Sequence, residues 1–214
     1  MRALSLFANI GVAEAYLDKI GVEVVLANEL IKRRADLYCA IYPNTEMICG
    51  DITEEKTYKK IRNRAIDANI DVIIATPPCQ GFSRACRNQD KNDARNLLIM
   101  PVISLIEEIN PKYVFIENVP QLLETEIIID GKKTLIQDYM IGNLDDKYIL
   151  SFHQINTENY GVPQSRRRMV ALLSRRDQKV EWQLPDENEN KVTLEDAIGN
   201  LPPLDPFVKD IDEN

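Results

Sequence analysis

A cysteine that could act as a nucleophile stands at position 79, directly after Pro77 and Pro78. The preceding residues 70–75 are almost all apolar and several are β-branched, which predicts a strand buried on both faces. The prolines remove backbone donors and end that strand. Because ligands of open α/β sheets bind at the carboxyl ends of strands, Cys79 is predicted to lie on a stiff loop at such a place. A small buried cysteine in a tight turn explains the pattern equally well.

Three carboxylates, Glu29, Asp51 and Glu117, stand at the ends of other predicted strands. Glu29 follows Gly11 by 18 residues, close to the spacing at which a carboxylate binds a ribose in nucleotide-binding βαβ units. The chain has one glycine where the dinucleotide fingerprint has three, so an NAD site is not predicted. For Glu117, a functional role and an exposed structural role are both open.

Strand and helix signals alternate along most of the chain. The predicted strands are residues 4–7, 22–27, 47–49, 70–75, 112–116, 148–155 and 168–173. The predicted helices are 11–19, 31–41, 53–67, 96–109, one ending near 143, and a weak one at 194–198. Thr53 is predicted to cap the third helix, and Asp130-Gly131 to form a hairpin turn. This alternation predicts an α/β fold with a mostly parallel sheet.

The composition is that of a globular protein of 214 residues, without a secretory signal or an apolar run of membrane-spanning length. The four cysteines form no CxxC pair and His153 is the single histidine, so neither a metal site nor a disulfide framework is predicted. We therefore expect a cytoplasmic protein, associated with the nucleoid if the source is prokaryotic.

The net charge of −8 is unevenly distributed along the chain. Residues 177–214 contain eleven acidic and three basic side chains, which leaves residues 1–176 neutral with 23 of each sign. We therefore predict a catalytic body over residues 1–176 and an acidic tail over residues 177–214. Five arginines, at positions 166, 167, 168, 175 and 176, fall within eleven residues of the body. Such a cluster is either a solvated face or a surface that meets phosphates.

Six short motifs, in this order, resemble those of the DNA (cytosine-5)-methyltransferase family. They are Phe7-Ala8-Asn9-Ile10-Gly11, Asn28-Glu29, Gly50-Asp51-Ile52, Pro77-Pro78-Cys79-Gln80, Glu117-Asn118-Val119 and Gln164-Ser165-Arg166-Arg167-Arg168. Each motif alone is weak evidence, whereas six in order and at fitting spacing are strong. The resemblance covers roughly residues 2 to 206 and implies a Rossmann-like, S-adenosylmethionine-dependent methyltransferase fold with one antiparallel strand.

The resemblance implies a DNA cytosine-5 methyltransferase of the restriction-modification kind. Cys79 would add to C6 of cytosine, and Glu117 would hydrogen-bond the N3 and amino edge of the base. Arg168 would contact the base carbonyl, and Arg166 would support Glu117. A stacked base hides C5 and C6, so double-stranded DNA would present the cytosine flipped out of the helix.

The resemblance also implies the residues that contact S-adenosylmethionine. They are Phe7 and Gly11 in the first turn, Glu29 at the ribose, Asp51 and Ile52 at the adenine, and Pro78 and Leu98 along the methyl-donor pocket. The family usually has glycines where Asn9 and Val12 stand.

The family's target-recognition region follows the part that this chain resembles. We therefore expect a truncated catalytic domain with an incomplete C-terminal part, or one half of a split enzyme completed by a second chain. An enzyme that methylates cytosine in tRNA, and a non-catalytic partner chain, are the alternatives. Metal and membrane partners are not expected.

Overall fold

The computed structural model describes residues 1–78, 97–129 and 131–202. These residues form a seven-stranded sheet with the strand order β3-β2-β1-β4-β5-β9-β8 and a separate hairpin, β6-β7. The strands are β1 Arg2–Leu6, β2 Glu23–Glu29, β3 Glu46–Cys49, β4 Val72–Ala75, β5 Tyr113–Asn118, β6 Glu126–Ile129, β7 Lys132–Leu135, β8 Tyr148–Asn156 and β9 Arg167–Arg175. The helices are α1 Lys32–Ile41, α2 Glu55–Asp67, α3 Ile99–Ile109, α4 Ile136–Leu144 and α5 Leu194–Ile198.

The large sheet is mostly parallel. Strands β3, β2, β1, β4 and β5 pair in parallel, and β9 runs antiparallel to β5. The predicted α/β class and the single antiparallel partner are therefore confirmed. The strand order reverses between β1 and β4, and ligands of open α/β sheets bind beside such a reversal, at the carboxyl ends of the strands.

The main core lies where the sheet packs against α2, α3 and α4. Helix α3 shows why: its buried residues Ile99, Val102, Ile103 and Ile106 recur at helical spacing and form one apolar stripe. A smaller core covers the opposite face of the sheet and includes Ala3, Val72 and the stacked rings of Tyr113 and Trp182. Both faces of β1 and β4 are therefore buried, which fixes their carboxyl ends firmly.

The predicted first helix, residues 11–19, is wrong. Residues 12–16 form successive turns, with the Leu17 N–H donating to the Glu14 carbonyl at 3.1 Å, and only Leu17–Ile20 form a short 3-10 helix. Tyr16 has a φ of 89°, which a right-handed helix cannot accommodate. The side-chain pattern alone did not indicate this interruption.

The predicted cap of the third helix is also wrong. Helix α2 begins at Glu55 with Glu54 as its N-cap, and no side chain caps it. The backbone N–H and the hydroxyl of Thr53 both donate to Asp51 Oδ1, at 2.8 and 2.7 Å. The threonine therefore completes a turn around Asp51 and does not accept from the helix.

The chain divides into two compact units. The first comprises Met1–Ile155 and Arg167–Leu184, and therefore contains the whole sheet except the last residue of β8. The second comprises Asn156–Arg166 and Pro185–Asn214, of which the structure describes residues up to 202. Residues 177–184 belong to the first compact unit. The division into a catalytic body and an acidic tail at residue 176 stays a prediction.

No helix among the described residues is long and apolar enough to cross a membrane. The same residues contain no group of three or more potential metal ligands.

Candidate active site

The turn that leaves β1 has an unusual backbone. Phe7 and Asn9 have φ angles of 59° and 50°, in the left-handed region that side chains other than glycine and asparagine seldom adopt. The Ala8 N–H donates to the Asn28 carbonyl, and the Thr76 N–H donates to the Leu6 carbonyl. These bonds tie the turn to both neighbouring strands. Strain of this kind persists where the surroundings enforce it, and it concentrates at functional sites.

Gly11 closes this turn against helix α1. Its φ is 84°, and a Cβ placed there would lie 2.1 Å from the Tyr42 ring. The Tyr42 hydroxyl donates to the Gly11 carbonyl at 2.6 Å. Any side chain at position 11 would therefore displace a ring that holds the turn in place.

The Glu29 carboxylate, only 5% exposed, connects the first turn to the start of α1. Oε2 accepts from the Asn9 N–H and Oε1 from the Ile31 N–H, each at 2.9 Å. A carboxylate oxygen can accept more than one hydrogen bond, so Glu29 keeps acceptor capacity for a ribose hydroxyl. Its predicted ribose contact stays a prediction.

Asp51 lies at the carboxyl end of β3, beside Glu29. Gly50 precedes it and donates its N–H to the Glu29 carbonyl at 3.0 Å. The two Thr53 hydrogen bonds hold Oδ1 of Asp51. The structure therefore brings Glu29 and Asp51 to the ends of neighbouring strands, as the sequence predicted.

The loop after β4 is held by a residue whose role the sequence reasoning did not assign. Asn118 ends β5 and is 2% exposed; its side-chain amide donates to the Pro77 carbonyl at 2.9 Å. Its Oδ1 accepts from the Val119 N–H at 2.8 Å. An asparagine within the Glu117-Asn118-Val119 motif, at the end of a buried strand, was the available signal. Pro78 is exposed, and Cys79 lies outside the described residues.

Glu117 and Arg168 form an ion pair at the same edge. Nε of Arg168 lies 2.6 Å from Oε1 of Glu117, and both side chains are half-buried. The pair forms because β9 enters the sheet where β5 leaves it, with Glu117 opposite Val170. Two charged residues predicted to face a base are therefore in contact.

Arg166 belongs to the second compact unit and is exposed. Within that unit its N–H donates to Asn156 Oδ1 at 2.8 Å, and its carbonyl accepts from the Thr157 N–H at 3.0 Å. The expectation that Arg166 supports Glu117 stays a prediction, while Arg168 makes that contact.

Three further predicted cofactor residues lie on or near the main core. Phe7 and Leu98 are partly buried against it, whereas Ile52 is 3% exposed and is part of it. Ile52 therefore has little free surface for an adenine ring, and its predicted contact stays untested.

The five arginines do not form one surface. Arg168 lies at the carboxyl end of β5, where it contacts Glu117. Arg175 lies at the amino end of β5, because the preceding residue, Ser174, pairs with Tyr113. Arg175 binds Asp177 and the Asn110 carbonyl, and Arg176 binds the Asp145 carbonyl at 2.9 Å. These two arginines neutralise the carboxyl ends of helices α3 and α4.

Glu14 is a buried carboxylate that the sequence did not single out. It is 4% exposed, and neither oxygen has a hydrogen-bond partner among the described residues. Burial raises the pKa of Glu14, and the nearby Ser5 hydroxyl offsets this only in part. Burial raises the pKa values of Tyr38 and Tyr42, whose rings pack beside Gly11, and the Glu14 carboxylate raises them further.

Comparison with known proteins gives a consistent result. The chain matches the family described as C-5 cytosine-specific DNA methylase over residues 1–214. Type II methyltransferase M1.HgaI of Avibacterium volantium is 43% identical over 206 residues, which are 94% of this chain and 57% of that protein. Type II methyltransferase M.AquIA of Picosynechococcus is 26% identical over an alignment of 227 residues, gaps included. That alignment covers 96% of this chain and 90% of that protein.

Solved structures share the fold. A crystal structure described as a DNA modification methyltransferase from an E. coli prophage superposes with a TM-score of 0.75 at 24% identity, covering 95% of this chain and 56% of that one. The S. pombe Dnmt2 methyltransferase gives a TM-score of 0.63 at 19% identity, over 85% of this chain and 51% of that one. At these identities the likeness concerns the fold alone. The chain spans little more than half the length of M1.HgaI.

Proposed function

Because this chain belongs to the C-5 cytosine-specific DNA methylase family, we propose that it transfers a methyl group from S-adenosylmethionine to C5 of cytosine in DNA. The relatives named above as Type II methyltransferases support a restriction-modification role. The observation that carries the proposal is the ion pair between Glu117 and Arg168, at the same sheet edge as the loop that leads to Cys79.

Cys79 supplies the nucleophile. C5 of cytosine reacts poorly with electrophiles, so the Cys79 thiolate first adds to C6, which breaks the C5–C6 double bond and makes C5 electron-rich. A thiol with a pKa of about 8.5 is only a few per cent ionised at neutral pH. After methylation, loss of the C5 proton restores the double bond and expels the Cys79 thiolate.

Glu117 and Arg168 orient the base and balance its charge. The Glu117 carboxyl hydrogen-bonds the N3 and amino edge of cytosine, and a proton at N3 offsets the negative charge that arrives with the thiolate. Arg168 keeps Glu117 in place and presents its remaining N–H donors toward the base carbonyl. The family resemblance assigns Arg166 the support of Glu117.

The residues at the strand ends suit a nucleoside with a cationic sulfur. Glu29 provides oxygen acceptors for ribose hydroxyls, Asp51 an acceptor for the adenine amine, and Phe7 an aromatic ring beside them. S-adenosylmethionine supplies an electrophilic methyl group when bound. The left-handed turn from Phe7 to Gly11 ends β1 beside these residues, and the missing side chain at position 11 leaves room for the Tyr42 ring that holds the turn.

A further protein segment completes the DNA interface, either in the same chain or as a second chain. Residues 1–176 are neutral and residues 177–214 are acidic, so the phosphate attraction that normally supplies much of DNA affinity is weak here. This chain covers 90% of M.AquIA, so that relative is of similar length to this chain. We expect the 214 residues alone to transfer methyl groups slowly.

The decisive experiment is covalent trapping on DNA that contains 5-fluorocytosine, with S-adenosylmethionine and the completing segment present. Fluorine at C5 blocks the final elimination, so the active enzyme remains attached to the DNA. Cys79→Ser is expected to lose trapping entirely. The exposed Cys39 provides a matched control, and Cys39→Ser and Cys86→Ser are expected to keep it.

Equal trapping by Cys79→Ser and wild type contradicts the assigned nucleophile. A parallel reaction with tRNA separates the substrates: methylation of tRNA without methylation of DNA contradicts DNA as the substrate.

A further inference from the structure

Asn28 is a polar residue in an apolar layer of the sheet. It is the second-last residue of β2, is 2% exposed and pairs with Ile48 of β3. Its side-chain amide donates to the Ile48 carbonyl at 2.9 Å and to the Gly50 carbonyl at 3.0 Å. One amide hydrogen is therefore directed at β3 and the other at the segment that leaves it. Its own carbonyl accepts from the Ala8 N–H of the first turn.

These bonds continue the pairing of β2 with β3 beyond the last regular strand residue. The Gly50 N–H donates to the Glu29 carbonyl while the Gly50 carbonyl accepts from Asn28, so both sides of this glycine are fixed. A Cβ at position 50 would lie 2.8 Å from Thr57 Oγ1. The segment therefore packs tightly against helix α2. The next residue is Asp51, whose position is therefore set by Asn28.

Asp51 itself is held in one orientation. Two hydrogen bonds from Thr53 fall on Oδ1, and within the described chain Oδ2 accepts none. Oδ1 of this carboxylate is fixed and Oδ2 is free to accept a hydrogen bond. Such a carboxylate suits a ligand that donates from a single amino group. The direction of that free oxygen depends on the Gly50-Asp51 backbone, which the Asn28 amide holds.

We propose that Asn28 is a positioning residue for the cofactor site and acts through Gly50 and Asp51 on the adenine end of the ligand. This rests on the proposed function, because it takes Asp51 as the group that reads the adenine amine. Without the Asn28 amide, the carbonyls of the buried Ile48 and the half-buried Gly50 lose their donors, and the segment shifts to find water or other partners. The affinity for the adenosyl group falls as a result.

Asn118 is the natural comparison within the same molecule. It is also 2% exposed, also lies at a strand end, and also donates its amide to a backbone carbonyl, that of Pro77. It serves the loop after β4 and leaves the Gly50-Asp51 segment untouched. A purely structural effect of losing a buried asparagine amide therefore appears in Asn118→Ala as well, whereas an effect on the adenine end does not.

The test is a double-mutant cycle on the binding of S-adenosylhomocysteine, measured by calorimetry. Asn28→Ala and Asp51→Ala are each expected to weaken binding about tenfold. If Asn28 acts through Asp51, the double variant binds no more than about twofold more weakly than Asp51→Ala alone. Asn118→Ala acts on the loop after β4, beside Pro78, so any effect it has on the affinity is expected to be the same in the Asp51→Ala background as in wild type. Asn28→Ser, which keeps one donor, is expected to be intermediate and replaces Asn28→Ala if that variant does not fold.

Two results overturn the proposal. One is an additive cycle, in which the Asn28 substitution costs as much in the Asp51→Ala background as in wild type. The other is a cycle between Asn118→Ala and Asp51→Ala that is as non-additive as the cycle with Asn28→Ala. Failure of the proposed function looks different, since wild-type protein with the completing segment would then not be trapped on 5-fluorocytosine DNA, whatever the result of the binding cycle.

Discussion

The amino and carboxyl ends of the parallel strands use their polar residues in different ways. At the amino ends, charged groups satisfy one another: Asp71 accepts from Lys112 at 2.7 Å and from the Arg2 N–H at 2.9 Å. Arg175 pairs with Asp177 at 2.8 Å. The stacked rings of Tyr113 and Trp182 cover the sheet face nearby.

At the carboxyl ends, polar side chains bind the backbone of loops. Glu29 holds the turn after β1, Asn28 the segment after β3, and Asn118 the loop after β4. Phe7 and Asn9 keep left-handed conformations there, at a cost of about 1–2 kcal/mol for a residue such as Phe7.

This difference separates stability from function within one sheet. At the amino ends, the charges of Asp71 and Arg175 are paired with Lys112 and Asp177. At the carboxyl ends, carboxylates that bind backbone N–H groups keep further lone pairs, and strained turns keep the backbone open to close approach. Substitutions at the two ends should therefore affect different measurements.

The largest effect is expected at the carboxyl end, for Glu117→Gln. The substitution keeps the shape of the side chain but removes the acid and the charge partner of Arg168. We expect the rate of covalent trapping on 5-fluorocytosine DNA to fall at least about a hundredfold, because positioned acid–base groups typically contribute that much. The melting temperature should change little, since the pair is half-buried. A normal trapping rate would contradict the role of Glu117.

Asn118→Ala is expected to affect both measurements. It leaves the buried Pro77 carbonyl without its donor, which typically costs about 1–3 kcal/mol of unfolding free energy. The loop leading to Cys79 also loses its tether, so trapping should slow. Denaturant unfolding and single-turnover trapping measure the two effects. A variant that is less stable but traps at the wild-type rate would show that Asn118 only stabilises the fold.

The sequence predicted the sheet class, most strands and the alignment of polar residues at their carboxyl ends, because apolar runs and prolines report burial and chain breaks directly. Thr53 shows the limit: its type fits a helix cap, but the nearby Asp51 carboxylate accepts its hydroxyl. Tyr16 interrupts a helical pattern because its φ angle is positive, which the residue types in this segment did not indicate. The five neighbouring arginines separate because Arg168 and Arg175 lie at opposite ends of one strand.

The substitution Glu14→Gln tests whether the buried Glu14 carboxylate, in the turns that follow β1, lowers the free energy of unfolding. Burial raises its pKa, so the folded protein binds the Glu14 proton more tightly than the unfolded chain does. The free energy of unfolding contributed at this site therefore falls as pH rises above the ordinary value of about 4.3. Glu14→Gln removes that dependence, and we expect it to be more stable than wild type by about 1 kcal/mol at pH 7, with no advantage below pH of about 4. Denaturant melts across this range measure it, with the exposed Glu189→Gln as control. A variant less stable than wild type at pH 7 would contradict the cost.

The smallest effect is expected at the amino end, for Asp71→Asn. Burial alone would raise the pKa of Asp71, but hydrogen bonds from Lys112 and the Arg2 N–H outweigh it and lower the pKa. A depressed pKa means that Asp71 stabilises the fold above its ordinary value of about 3.9, and that this contribution is lost as the pH falls through the folded pKa. The pair is partly exposed and screened by solvent, so Asp71→Asn should cost less than about 1 kcal/mol at pH 7 and progressively less as the pH falls below about 3.9. Lys112→Met, which removes the partner, should show the same pH dependence. Both variants should trap 5-fluorocytosine DNA at the wild-type rate, because the amino ends of the strands lie at the opposite edge of the sheet from the Glu117–Arg168 pair. A loss of trapping in Asp71→Asn without a matching loss of stability would break the separation of the two ends.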